Sequence, residues 1–340
     1  MPSSSSRHPV GIDVSKATLD ACLLVASRSR LKRFANTPAG IGALLTWLQA
    51  EAGGPVHVCL EATGTYHDAL ARCLSEAGVA LSVLPSSRLP AFRASEGKRS
   101  KTDAQDAVLL AQYCQQKTPA LWQPLRAEVE HLRMQLARIE DLDHMRQQER
   151  NRLENGRLDE TVRAQIQQHQ QQLKDWRTQM LREAIDWVQA HEDLAVAFAH
   201  LQTQKGIGAL TALRLLSLLG SDGGRFASPR QVVAFVGLDV VERQSGTSVH
   251  GRGHISKQGS GAVRKWLGMC ALVAKRWDPD MHQWAEELAA RGKCASQIRV
   301  AIMRKLLHVA YGLLKHQQEY DPTRAFPTHY ASAKELTPAA

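Results

Sequence analysis

Apolar and polar positions over the first 85 residues alternate between two rhythms. Residues 9–25 (PVGIDVSKATLDACLLV) read as two short strands joined by a turn near Ser15–Ala17. The first carries apolar residues on both sides of Asp13, the look of a buried strand ending on a carboxylate. Residues 29–36 predict a third strand, and Ile41–Leu48 has helical spacing. Val56–Leu60 is a compact apolar run that leads directly into Glu61-Ala62-Thr63-Gly64. Residues 66–77 predict a helix and Ala80–Leu84 another strand. Strands alternating with helices imply an α/β layer. A further helix begins at Thr102, which forms a capping box with Gln105 three residues later. Asp103 and Asp106 lie in its first turn, where the helix dipole favours negative charge. Residues three apart share a helix face, so the two carboxylates point the same way.

The pattern then changes. From Glu128 to Ala190 the chain is nearly all helix formers, without proline. Leu132, Leu136 and Ile139 have heptad-like spacing, and Leu173, Trp176, Met180, Ala184 and Trp187 step by three or four. Asn155-Gly156 supplies a turn between the two runs. The expectation is a long antiparallel helical hairpin or coiled coil, with a Gln-rich stretch (Gln165–Gln172) that is polar all round. A third region opens near Leu201. Lys205-Gly206-Ile207-Gly208 fits the turn of a helix–hairpin–helix phosphate site and fits a plain helix-to-helix turn equally well. Residues 244–261 are rich in Gly, Ser and basic residues and predict neither helix nor core strand. Residues 262–276, 281–291 and 295–317 predict helices, and the last twenty or so a loose tail.

Length and composition narrow the class. At roughly 150 residues per domain, 340 residues divide into two or three domains. The pattern divides them as 1–127, 128–200, 201–322 and a tail, 323–340. No run of about 18 apolar residues predicts a membrane span. The N-terminus has no apolar core of a secretory signal, so a cytoplasmic setting is expected. The six cysteines form no C-x-x-C pair, and no histidine stands at zinc-finger spacing from them. They read as reduced, mostly buried thiols. The formal charge of +10 suggests a polyanionic partner, most simply nucleic acid. Its distribution says more. Arg243 to Trp277 holds seven Lys/Arg and no acid, and Arg88 to Lys101 holds five against one acid, Glu96. Both stretches flank the candidate chemistry, so Lys98, Arg99, Lys101, Arg243, Arg252, Lys257, Arg264 and Lys265 are candidate nucleic-acid contacts.

That chemistry is a set of four carboxylates and a set of serines. Asp13 and Glu61 end strands, and Asp103 and Asp106 open a helix. In an α/β sheet such positions converge, in a ribonuclease-H-like order. Carboxylates at close range repel one another, so a hard divalent cation is their natural partner. Two such ions would stabilise the attacking and leaving oxygens of a phosphodiester. Taken singly, each acid also reads as an ordinary strand end or first-turn residue. Ser245, Ser248, Ser256 and Ser260 lie in the basic Gly/Ser-rich stretch. A serine there can attack a phosphate that cations hold, or simply contact one. Composition does not distinguish among the four.

Together these segments resemble a known family: the DEDD insertion-sequence transposases of the IS110 family, relatives of the Piv-type DNA invertases and also described as bridge-RNA-guided serine recombinases. The resemblance rests on GIDVSKATLDACLL, CLEATGTYHDALARCL, SEGKRSKTDAQDAVLLAQYC, KGIGALTALRLLSLLG, RFASPRQVVAFVGL and SGTSVHGRGHISKQGSGAVRKWL, in that order. It implies a RuvC-like N-terminal domain whose tetrad is Asp13, Glu61, Asp103 and Asp106, holding Mg²⁺, with two ions expected. It implies a helical middle segment and a mostly helical C-terminal transposase domain. The family's serine stretch matches Ser245-Gly246-Thr247-Ser248-Val249, which makes Ser245 the nucleophile. The implied partners are donor and target double-stranded DNA, a structured guide (bridge) RNA and further copies of the chain, in the bacterial nucleoid. Three other readings compete. One is a RuvC-like nuclease that uses water. Another is an actin-like sugar kinase, which would need a second phosphate loop where the chain offers only Leu219–Gly224. The third is a non-catalytic nucleic-acid-binding protein, which the intact tetrad and serine disfavour.

Overall fold

The computed structural model describes residues 7–26, 28–62, 64–98, 102–154, 157–241, 244–245, 249–250 and 253–329. The chain forms two compact units that divide between Leu125 and Arg126.

The first unit is built on a five-stranded sheet: β1 (His8–Val14), β2 (Thr18–Val25), β3 (Arg28–Ala35), β4 (Val56–Glu61) and β5 (Ala80–Leu84). Their order across the sheet is β3-β2-β1-β4-β5. β1, β2 and β3 run antiparallel, whereas β4 and β5 run parallel to β1. The turn expected at Ser15–Ala17 closes on Ser15, whose hydroxyl meets Thr18 Oγ1 at 2.8 Å. Edge strand β3 exposes almost every side chain, and its Arg28, Arg30, Lys32 and Arg33 discourage pairing with another sheet.

The two sheet faces are covered differently. Val10, Ile12, Leu19, Ala21, Leu23, Val58 and Leu60 face α1 (Pro38–Ala52) and α2 (Asp68–Glu76) and form the main core. The opposite face is covered by α3 (Arg88–Ser95) and α4 (Asp103–Lys117). α4 starts where the capping box predicts: the Thr102 side chain accepts from the Gln105 backbone N–H. The α3 helix was not legible in the sequence, because Pro90 breaks its pattern.

The second unit is helical. α5 (Ala127–Glu154) and α6 (Glu160–Gln189) form the expected pair of long helices, and the glutamine-rich stretch is helical within α6. Asn155 and Gly156 lie outside the described residues. The apolar stripe needs one correction: Trp176 is 49% exposed. The inward positions of α6 run Leu173, Arg177, Met180, Ala184, Val188. Arg177 Nε donates to Asp143 Oδ1 of α5 at 2.6 Å, which leaves Trp176 one position out of phase. Buried Glu149 of α5 is bound by His169 of α6 at 2.9 Å.

α7 (Glu192–Thr203), α8 (Ala209–Leu219), α9 (Pro229–Val236), α10 (Gly261–Trp277), α11 (Pro279–Ala290) and α12 (Ala295–His316) follow. Of the two readings of Lys205–Gly208, packing supports the plain turn. Gly206 has φ +97°, and a Cβ there would meet Ala274 and Cys270 of α10 at 2.9–3.0 Å. Buried Asp278 caps α11 and accepts from Gln204 Nε2 (2.9 Å) and the Tyr320 hydroxyl (3.2 Å). The loose tail also needs correction. α13 (Pro322–Ala325) and a 3-10 turn at Pro327–His329 continue the structure, and Phe326 is buried. Residues 330–340 lie outside the described residues.

Candidate functional site

Strand register decides which acids meet. Ile12 pairs with Leu60 in the parallel ladder, so the next residues, Asp13 and Glu61, stand side by side at the strands' C-terminal ends. In the antiparallel ladder Asp13 pairs with Asp20. Residues in register share a face and alternate residues share a face. Gly11, Asp13, Asp20, Cys22, Cys59 and Glu61 therefore all face α4. Gly11 fixes how close that helix comes. A Cβ at Gly11 would lie 2.1 Å from the Ala107 carbonyl oxygen and 2.3 Å from the Ala111 nitrogen. Strand and helix backbones touch there with no side chain between them. The helix starts beside the carboxylate end of the sheet and ends beside its other end, where Cys114 Sγ donates to the His57 carbonyl.

The start of α4 thus brings Asp103 and Asp106 to the end of the sheet that carries Asp13 and Glu61. Asp106 is buried and paired with Arg93 of α3, itself 15% exposed. Asp20, also buried, is held by Arg33 Nε of β3 at 2.8 Å. The Arg33 guanidinium is pushed further up its basic range by Asp20 and, more weakly, by Asp103, so Asp103 belongs to the same electrostatic neighbourhood. Among the described residues, the one group of three His, Cys or acidic side chains with donor atoms within 4.8 Å of one another is not drawn from these carboxylates. It is His57, Cys59 and Cys114. Two of the acids at the sheet end are instead turned towards arginines.

Asp20, Arg33 and Arg93 were missed by sequence reasoning. Asp20 and Arg33 sit in register across β2 and β3, a relation visible only once the hairpin register is known. Arg93 appeared merely as one cation of a basic stretch.

In the second unit, Ser245 lies in a small hairpin. β6 (Val240–Val241) pairs with β9 (His254–Ile255), and further out β7 (Gln244–Ser245) pairs with β8 (Val249–His250), Ser245 opposite Val249. The segment expected to lack helix and core strand therefore forms short ladders outside any core sheet. Its base is tightly seated. A Cβ at Gly237 would meet the Gln258 carbonyl at 2.4 Å, and one at Gly259 the Phe235 carbonyl at 2.1 Å. Arg264 Nη1 donates to the carbonyls of Val236 (2.9 Å) and Gly259 (3.0 Å). Two of the four candidate serines hold this base: Ser256 donates to Asp239, and Ser260 caps α10. Ser248 lies outside the described residues.

The other candidate cations divide as follows. Lys98 is exposed and donates to Gln112 Oε1 at 2.6 Å. Lys257 is exposed, with φ +55°, and its N–H donates to Gly237. Lys265 lines a cleft of about 430 Å³ with Arg146, Arg150 and Lys174 of the long helices. Arg99, Lys101, Arg243 and Arg252 lie outside the described residues. Among the described residues no helix is long and apolar enough to cross a membrane.

The chain is thus an α/β unit with acids at its strand ends, followed by a helical unit, and comparison with known proteins shows its class. Residues 10–162 match a family described as "Transposase", and residues 199–286 match "Transposase IS116/IS110/IS902 family". The chain is 31% identical over 320 residues to the pilin gene-inverting protein of Moraxella bovis, covering 93% of this chain and 98% of that one. It is 28% identical to a putative transposase, y4qE, of Sinorhizobium fredii, over 91% of this chain and 89% of that one. A shorter match, 27% identical over 121 residues, is to an uncharacterised protein of insertion element IS110 from Streptomyces coelicolor, covering 36% of this chain and 29% of that one. The protein is a DNA transposase/recombinase. It belongs to the IS110 family of insertion-sequence transposases.

Proposed function

We propose that the first unit is a RuvC-like catalytic domain and that Asp13, Glu61, Asp103 and Asp106 bind divalent cations, Mg²⁺ by their hardness, while Ser245 is the nucleophile that cuts DNA. One observation carries this reading: the parallel register aligns Asp13 with Glu61 on the face where α4 begins. The donor set fits the ion in kind, since all four side chains offer carboxylate oxygens. Buried Asp106 requires a counter-charge, now supplied by Arg93. A hard cation held by these acids supplies positive charge to the scissile phosphate's oxygens.

The chain's own residues do the rest. The Ser245 hydroxyl attacks phosphorus, forming an ester bond to the protein as the P–O3′ bond breaks. The serine proton ends on the released 3′-hydroxyl. A 3′-hydroxyl of another strand then attacks the phosphoserine and returns the proton to Ser245. One phosphoester replaces another at each step, so no nucleotide cofactor is required. Lys257 and Lys265, with Lys98, Arg99, Lys101, Arg243 and Arg252, contact phosphates. Arg264 holds the serine hairpin's base.

The helical segment to about residue 200 and the C-terminal transposase segment act as separate working parts, and the chain works as a dimer or tetramer. Rearranged DNA is the product, in keeping with the name of the Moraxella relative. The resemblance supports guidance by a structured bridge RNA, which would read target and donor sequence by base pairing. The protein itself would then need mainly backbone contacts, consistent with its charge of +10.

The test is a DNA–protein adduct that survives SDS. Wild type forms it and Ser245→Ala does not. Cleavage persisting in Ser245→Ala would favour the alternative, a RuvC-like nuclease that uses water. Mixing Ser245→Ala chains with Asp13→Ala chains tests whether the site is completed between subunits: restored activity is expected, and no rescue argues against a shared site. RNA co-purifying with the protein tests the guide.

A further inference from the structure

The other end of α4 holds a second donor cluster that the recombination reaction does not use. His57 and Cys59 stand two residues apart on β4, on the face that meets the helix. Cys114 lies in the last turn of α4, above them. All three are buried, and their donor atoms lie within 4.8 Å of one another. Ser82, in register with Cys59 on β5, is the adjacent polar group.

Hydrogen bonds indicate which imidazole nitrogen keeps its lone pair. Ser82 Oγ has one proton, and two carbonyls that can only accept it: Pro119 at 3.1 Å and Ala120 at 2.9 Å. His57 Nε2 lies 2.7 Å from that same oxygen. The serine proton is committed to a carbonyl, so Nε2–H is the donor and Nδ1 keeps its lone pair. Metal-binding imidazoles are oriented in this way, by a hydrogen bond from the nitrogen that does not bind.

We propose that His57 Nδ1, Cys59 Sγ and Cys114 Sγ form a site for a thiophilic divalent cation, Zn²⁺ above all, which clamps α4 to β4. Binding releases two thiol protons, and two thiolates offset the ion's charge. The resulting unit is neutral, as a buried site requires. A monovalent ion would leave a buried negative charge. Zinc bond lengths of about 2.0–2.3 Å put tetrahedral donors about 3.5–3.8 Å apart, so donors within 4.8 Å of one another need close by no more than about an ångström.

The clamp lies eight residues along α4 from Asp106, about 12 Å at 1.5 Å per residue. It would fix the helix that delivers Asp103 and Asp106. The inference does not rest on the role proposed for the carboxylates.

The experiment uses full-length protein, reduced and stripped with a chelator, then titrated with Co²⁺. One equivalent per chain is expected to give a thiolate-to-cobalt charge-transfer band that Zn²⁺ displaces. Cys59→Ser and Cys114→Ser should each abolish the band. Cys73→Ser, Cys294→Ser and Asp13→Ala should keep it, which separates this site from the carboxylates. Zn²⁺ should also raise the Tm of wild type but not of the cysteine variants. If those variants do not fold, Zn²⁺ should still protect Cys59 and Cys114 of wild type from alkylation during denaturation, read by mass spectrometry. Absence of the band, its survival in a folded Cys114→Ser protein, lack of protection, or a Cys59–Cys114 disulfide without metal would each overturn the proposal.

Discussion

Replacing Gly11 by alanine adds a single methyl group where β1 and α4 touch backbone to backbone. The new Cβ would stand 2.1 Å from the Ala107 oxygen, 2.3 Å from the Ala111 nitrogen and 2.7 Å from Leu110 Cβ. None of these atoms moves by a simple rotamer change. Restoring ordinary contact at 3.4 Å from 2.1 Å requires 1.3 Å of separation between strand and helix. Overpacking of this kind costs typically 1–3 kcal/mol. A gap of 0.5–1 Å forfeits a quarter to a half of each dispersion contact, and α4 buries Ala107, Leu109, Leu110, Ala111 and Cys114. We therefore expect the upper end, about 3 kcal/mol, concentrated in the first unit. Hydrogen–deuterium exchange reads this locally: at 1.36 kcal/mol per decade, amides of β1 and α4 should open about a hundredfold more often. DNA rejoining should fall with it, because the helix that moves carries Asp103 and Asp106. Exchange within about threefold of wild type in those segments would refute the claim that the two backbones are in forced contact.

Arg93→Met leaves Asp106 buried without its partner and should destabilise by about 3–5 kcal/mol in urea titrations. The double variant Arg93→Met/Asp106→Leu should recover most of that loss; a single variant as stable as wild type would show the pair to be dispensable. Arg264→Ala removes two hydrogen bonds from a charged donor and should cost about 1.5–3 kcal/mol, with faster exchange across residues 237–259. If exchange there is unchanged while DNA binding weakens, the arginine serves DNA rather than the hairpin base. Cys294 is exposed, and hydrogen bonds from Ser296 and from backbone N–H groups hold its thiol below the ordinary range. A lowered pKa leaves more thiolate near neutrality, so alkylation should reach Cys294 first, with a rate midpoint at lower pH than that of an ordinary thiol. Earlier modification of Cys22, Cys59, Cys114 or Cys270 would contradict their burial.

What could be read from the chain depended on how local the signal was. Asp13 and Glu61 were visible because apolar strands run up to them, and α4 because Thr102 and Gln105 announce its start within four residues. The long helices were visible from period alone, although the same reading put Trp176 inside, because periodicity could not foresee that Arg177 would take the inward position and pair with Asp143. Relations across the sheet were hidden. Asp20 meets Asp13 only through hairpin register, Arg93 meets Asp106 only because α3 folds back along α4, and His57 lies 57 residues from Cys114. No spacing rule joins such residues. The serine hairpin was placed by resemblance rather than by pattern, since four serines in a basic stretch look alike until two are seen holding the base.

The acid end of the sheet also bears on the order of events in the proposed reaction. Asp13, Asp20, Glu61, Asp103 and Asp106 stand there with the arginines Arg33 and Arg93, which pair with Asp20 and Asp106, on a chain whose total charge is +10. On the function proposed above, the net positive charge would draw the sugar–phosphate backbone towards the protein from a distance, while the acids would repel the phosphate that comes nearest. Capture and cutting would then be separated by sign. DNA could be held and searched without being cut until a cation neutralised the acids.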